Sequence, residues 1–128
     1  MHRFFNPPTI ATPGAAYSHG VESPPGLRWL HASGQVGMRP DGTTPDDLAA
    51  EVDVAWDNVL AVLAGAGMGV EDIVRILTFI TTPDVMVPYR AARDRHLGDL
   101  KPASTLIQAA ALARPIWHLE IEVTAARA

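Results

Sequence analysis

Polar and apolar residues alternate through the run Trp117-His118-Leu119-Glu120-Ile121-Glu122-Val123-Thr124. On a strand, that alternation sends His118, Glu120, Glu122 and Thr124 to one face, and Trp117, Leu119, Ile121 and Val123 to the other. A carboxylate on a regular strand is held by the sheet and not by a mobile loop. That rigidity suits either Glu120 or Glu122 to a fixed site as well as to plain solvation of the face. His118, Glu120 and Glu122 could also ligate a metal. Neighbours on one strand face lie about 7 Å apart, however, and one face of one strand rarely completes a coordination shell. A solvated sheet face accounts for the same three residues, and no metal site is predicted.

Three other places offer donors. Ser33-Gly34-Gln35 ends a strand, and its glycine lets a ligand approach the backbone closely; a simple bulge or turn is the alternative. Tyr17-Ser18-His19 puts a tyrosine near a strand start, where packing with one satisfied hydroxyl is the plainer use. Ser104-Thr105 opens a strand after Pro102, and its free amides could hold a carboxylate or merely cap the strand end. His19, His31 and His96 show no helical metal spacing. Gly65-Ala66-Gly67-Met68-Gly69 closes a helix instead of opening one, so it is a stop signal and not a phosphate cradle. The chain has no cysteine, which removes thiol nucleophiles, thiolate metal sites and disulfides together. Lys101 is the only lysine, hence the only Schiff-base candidate.

The elements that must carry these residues are short. At 128 residues, with 48% hydrophobic and 19% charged residues, the chain reads as one globular domain spanning 1–128. A net charge of −4 argues against a broad nucleic-acid or anionic-membrane surface. No apolar run nears the roughly 20 residues of a membrane span, and the N-terminal residues break before a signal-peptide core could form. A cytoplasmic protein is expected.

Leu27–Ala32 reads as a strand between Pro24-Pro25-Gly26 and Ser33-Gly34. Leu48, Val52, Trp56, Val59, Leu63 and Ala66 recur at helical spacing, with Thr44 as the cap and Pro45 in the first helical position. Ile73–Thr82 is β-branched and apolar on both faces, which predicts a strand buried on both sides. A second helix is expected from 84–88, capped by Asp84, to about Leu100, where Lys101-Pro102 stops it. Strands follow over Ser104–Leu112 and Trp117–Ala125. The order predicts an α+β fold with two helices on one face of a mixed sheet. The other face keeps apolar residues, which a second copy of the chain would cover most simply.

With the elements placed, the chain resembles the RidA/YjgF family from Tyr17 to Ala125. The resemblance rests on Tyr17-Ser18-His19-Gly20-Val21, Ala32-Ser33-Gly34-Gln35-Val36-Gly37, Asp41-Gly42, Trp56-Asp57-Asn58-Val59 through Ala64, and Ala66-Gly67. It continues in Asp72-Ile73-Val74 through Phe79-Ile80, Pro102-Ala103, and Leu119-Glu120-Ile121-Glu122. It implies a chorismate-mutase-like (RidA-like) domain that forms a barrel-building homotrimer, with small-molecule clefts between subunits. It also implies cofactor-independent hydrolysis of reactive imines or enamines to keto compounds and ammonia. By the same resemblance, Glu120 is the catalytic residue that positions water, and Tyr17, Ser33 and Gly34 line the substrate pocket. The family's active imine deaminases read Pro-Ala-Arg-Ser where this chain reads Pro102-Ala103-Ser104-Thr105, followed by Leu106. Ser104 thus stands where an arginine grips the substrate carboxylate, and Ser104, Thr105 and Leu106 are the substrate-binding candidates there. A serine supplies neither the charge nor the planar fork of a guanidinium. Arg114 or a neighbouring subunit's arginine is the candidate replacement. A non-catalytic small-molecule binder or sensor is the alternative function, and the acidic balance weighs against a ribonuclease.

Overall fold

The apolar spacing at residues 48–66 folds as helix α1 (Leu48–Gly65) in the computed structural model, which describes residues 1–128. The cap is Asp47 and not Thr44: Asp47 Oδ2 accepts the Ala50 N–H at 3.0 Å. Pro45 consequently lies before the helix instead of in its first turn. Thr44 is used otherwise, its Oγ1 accepting the Trp117 indole N–H at 3.2 Å. The predicted stop holds. Gly67 takes φ +67°, and the Ala66 and Gly67 amides return to the carbonyls of Leu63 and Ala64.

Helix α2 (Met86–Leu97) follows a 3₁₀ turn at Pro83–Val85. Thr82, not Asp84, caps that turn, its Oγ1 accepting the Asp84 N–H at 3.3 Å. Pro88 sits in the first turn of the helix, where its missing N–H has no partner to lose. The end comes at Gly98, with φ +55°, before Lys101-Pro102 can act as the stop.

Seven strands accompany the helices: β1 (Arg3–Phe5), β2 (Gly20–Glu22), β3 (Arg28–His31), β4 (Gln35–Val36), β5 (Ile73–Ile80), β6 (Ala103–Gln108) and β7 (Leu119–Arg127). The main sheet runs β3-β7-β5-β6, with β4 also on β7. Only β5 and β6 are parallel, joined through α2, so the sheet is mixed as expected. β6 stops at Gln108 and β7 begins at Leu119, each shorter or later than the sequence suggests. The β1–β2 pair is not apparent in the sequence, since three-residue strands are too short to display an alternation.

Ile76, Thr78 and Ile80 of β5 and Leu119, Ile121 and Val123 of β7 are buried on the helix side, against Val52, Trp56, Val59 and Leu63 of α1. The fold is α+β, with both helices on that one face. The other face carries Arg75, Leu77, Phe79, Glu120, Glu122 and Thr124, and neither helix packs on it. β5 is therefore not buried on both sides in the single chain: Leu77 and Phe79 are half-buried and Arg75 is exposed. No helix is long and apolar enough to cross a membrane.

Glu51 is the unexpected member of the core. Fully buried, its Oε2 accepts the His118 backbone N–H at 2.7 Å and its Oε1 lies 2.7 Å from His118 Nδ1. Gly37 packs against it so closely that a β-carbon there would fall 2.5 Å from both the Glu51 Cγ and its carbonyl oxygen. The backbone atom cannot swing aside. Gly37→Ala should therefore lower the unfolding free energy by about 1–3 kcal/mol, as forced overpacking does. Gly14→Ala, at a position with nothing within 4 Å, should stay within about 0.5 kcal/mol. Urea unfolding of the two variants checks this, and equal midpoints would refute it.

Candidate functional site

β7 holds Glu120 on the open face, where it pairs with Phe79 of β5 and Val36 of β4. The segment 33–38 lies directly over it. A β-carbon at position 34 would fall 2.6 Å from both Cγ and Cδ of Glu120, so only glycine lets this backbone lie against the carboxylate. Asn58 of α1 holds the segment down, donating its two amide hydrogens to the carbonyls of Val36 and Met38 at 2.9 Å each. Gln35 Nε2 donates to the Ser33 carbonyl at 3.1 Å. Ser33 itself is exposed, and the half-buried Glu120 carboxylate enters none of the chain's ion pairs. Its lone pairs are free for a water or a ligand.

A second group forms across the sheet. Ser18 bridges in parallel to Ala103 at the outer edge of β6, and its N–H donates to the Pro102 carbonyl at 3.3 Å. That bridge sets Tyr17 beside Ser104. Ser104 and Leu106 alternate onto the helix side of β6, where they meet α2. With Tyr17, Tyr89, Arg90 and Arg93 they line a cleft of about 120 Å³. Tyr89 closes its floor at 3% exposure, its hydroxyl 2.7 Å from Thr78 Oγ1. Burial pushes the Tyr89 phenol above its ordinary value of 10, against smaller opposing effects from the Thr78 hydrogen bond and the Arg93 charge.

Within one chain the predicted residues thus fall into two sets. Ser33, Gly34 and Glu120 make one; Tyr17, Ser104 and Leu106 make the other, on the opposite face. Thr105 joins neither set, since it points to the open face in line with Leu77 and Glu122. His118 leaves the strand-face trio, because β7 begins one residue after it and its ring turns to Glu51. No three His, Cys, Asp or Glu side chains cluster in a metal-holding arrangement. Arg114 stacks over Trp117 at 5.4 Å, away from Ser104, and does not enter the cleft at Ser104. The largest concavity, about 420 Å³, lies beside Trp29, Arg75 and Thr124 and holds none of the predicted residues.

Sequence reasoning missed Asn58 as a clamp, Glu51 as a buried anchor, and Arg90 and Arg93 as cleft residues. The available signals were an acid interrupting the apolar stripe of α1 and two arginines three apart on α2.

The family profile described as Endoribonuclease L-PSP matches residues 9–127. The chain is 32% identical to a 2-iminobutanoate/2-iminopropanoate deaminase of Escherichia coli over 129 aligned positions, covering 93% of this chain and 97% of that protein. It is 46% identical to the RutC family protein YjgH of Escherichia coli over 55 residues, 43% of this chain and 42% of that one. Among solved structures, YyfB of Yersinia pestis, a Rid-family protein of unknown function, superposes with a TM-score of 0.86 at 32% identity and covers 98% of each chain.

The Tyr89 environment has a measurable consequence. A phenol whose folded pKa is raised leaves stability intact below the unfolded value near 10 and loses it as pH rises through the folded value. Alkaline titration followed by phenolate absorbance should find one late-ionising tyrosine, and Tyr89→Phe should remove it. A titration with no late component would overturn the placement of Tyr89.

Proposed function

The chain belongs to the endoribonuclease L-PSP family, the RidA/YjgF proteins, and on that premise we propose that it hydrolyses a small imine or enamine without a cofactor, with Glu120 setting the attacking water. The observation that carries this reading is the bare backbone of Gly34 against a carboxylate free of ion pairs. Water adds across the C=N bond: its oxygen joins the carbon, its proton passes to Glu120, and the nitrogen takes up a proton. Collapse of the resulting amino alcohol releases ammonia and leaves a carbonyl. Glu120, fixed by β7, serves as the base in the first step and returns the proton in the second.

In this reading the working unit is a homotrimer. The uncovered sheet face presents Leu77, Phe79 and Ile107, and the outer edge of β6 is paired only at Ala103. A neighbour on that edge would close an unpaired strand and bring the Glu120 set of one copy to the Tyr17–Ser104 set of another. The ligand is a small molecule. An RNA substrate fits the charge balance poorly, since a chain at −4 has few cations to spare for a phosphate backbone.

Light scattering at micromolar concentration should give three times 13.7 kDa; a monomer would leave each half-site alone and sink the reading. In the trimer, Glu120→Gln should leave the melting temperature nearly unchanged. It should slow ammonia release from imines generated in situ by an amino-acid oxidase by roughly 10²–10⁴-fold. Glu122→Gln, on the same strand face, should do little. Equal behaviour of the two variants would favour a non-catalytic binding protein.

A further inference from the structure

Two guanidinium groups line the cleft beside Ser104, and no acidic side chain lines it with them. Arg90 and Arg93 are three residues apart on α2, so both rise from one helix face. Arg93 is the unusual one. Its side chain is only 10% exposed, yet its sole carboxylate partner, Asp94, is 63% exposed and lies in solvent. That pair engages Arg93 Nε and Nη2 at 3.3 and 3.0 Å through a single Asp94 oxygen. Nη1 of Arg93 is outside it, and Arg90 enters none of the chain's ion pairs. A largely buried cation with one screened partner keeps an excess of positive charge in the cleft.

The walls add neutral donors: the hydroxyls of Tyr17 and Ser104. Tyr89, neutral at ordinary pH, backs the floor. Position 104 also makes the space. A longer side chain on that strand position would reach toward α2 and fill a cleft of about 120 Å³, roughly the share of four liquid waters. That volume suits a carboxylate with a short carbon chain.

We propose that this cleft is an anion site, in which Arg93 and Arg90 of α2 hold the carboxylate of the ligand from the helix side. Asp94 already offsets one of the two cations, so the complement is a monoanion. For the reaction, the proposal rests on the hydrolase reading and assigns to Arg93 and Arg90 the carboxylate contact that Ser104 cannot make. For binding, it stands without that reading.

Calorimetric titration of the assembled wild-type protein with 2-oxobutanoate and with its neutral amide tests it. The acid should bind roughly 10- to 100-fold tighter than the amide, as charge-assisted contacts to a fork require. Arg93→Met and Arg90→Gln should each reduce that preference about tenfold, and Ser104→Leu should abolish binding of both ligands by filling the space. Equal affinity for acid and amide in the wild type, or a preference that survives both arginine substitutions, would overturn the assignment. If Arg93→Met melts early, the exposed Arg90 decides the matter alone. Glu120→Gln separates the two proposals: it should keep the acid preference while turnover falls. Loss of preference in that variant alone would place the anion at the Glu120 side and overturn the α2 site.

Discussion

A carboxylate buried without compensation costs several kcal/mol, and the Glu51 carboxylate is wholly buried. The solution found here constrains much of the molecule. One oxygen takes the backbone N–H of His118 and the other meets its ring, which ties the entry of β7 to the middle of α1. Gly37 has to be glycine for the carboxylate to lie where it does. Two turns further along the same helix, Asn58 grips the carbonyls on either side of Gly37. Helix α1 thus fixes two chain segments remote in sequence, 33–38 and the start of β7, relative to each other. Glu120 is two residues beyond one anchor, and Gly34 is three residues before the other. Their close approach follows from these two anchors together with the pairing of Val36 with Glu120.

Strand parity does the rest. Side chains alternate with a period of two, so a slip of one residue would exchange the faces of a whole strand. On β7 the large aliphatics Leu119, Ile121 and Val123 cannot leave the core, and this holds Glu120 outward. On β6 the register against β5 sets Ser104 opposite Ile76 and Thr105 opposite Leu77. Ser104 therefore faces the helices and Thr105 faces away. Adjacent residues with similar hydroxyls consequently belong to different surfaces, and only one of them shares a cleft with Tyr17.

These facts also explain which features could be read from the residues. The α1 stripe, the β7 alternation and the glycine stop at Gly67 are local periodicities or local dihedral demands, and they appear directly in the chain. Thr44 and Asp47 are both acceptable caps by type, and the choice between them turns on Trp117, 73 residues away, which claims the Thr44 hydroxyl. The burial of Glu51 has no local signal, because its partner is 67 positions distant. The β1–β2 pair lays the ring of Phe5 over Gly20, a contact with no sequence period. For the site, residue types were legible at Glu120, Gly34, Tyr17 and Ser104. Their division between two sheet faces was not, because it depends on pairing registers between strands that are distant in sequence.

The division bears on how such a site can work at all. The sheet between the two sets is one strand layer thick, but its side chains point to opposite sides, so no ligand of this cleft's size reaches both within one chain. Within a single chain the two sets therefore face separate volumes. Association of copies through the outer edge of β6, as proposed above, would bring the two sets together without moving either, because that edge is where the Tyr17 segment and Ser104 already lie. The chain's own contribution to any reaction is then rigidity. Glu120 is held by a strand whose core side chains are fully buried, and the α2 arginines are held by a helix packed through Tyr89 and Ala92. A site assembled from the two sets would need neither side to relax, and both are carried on elements that anchor in the same core.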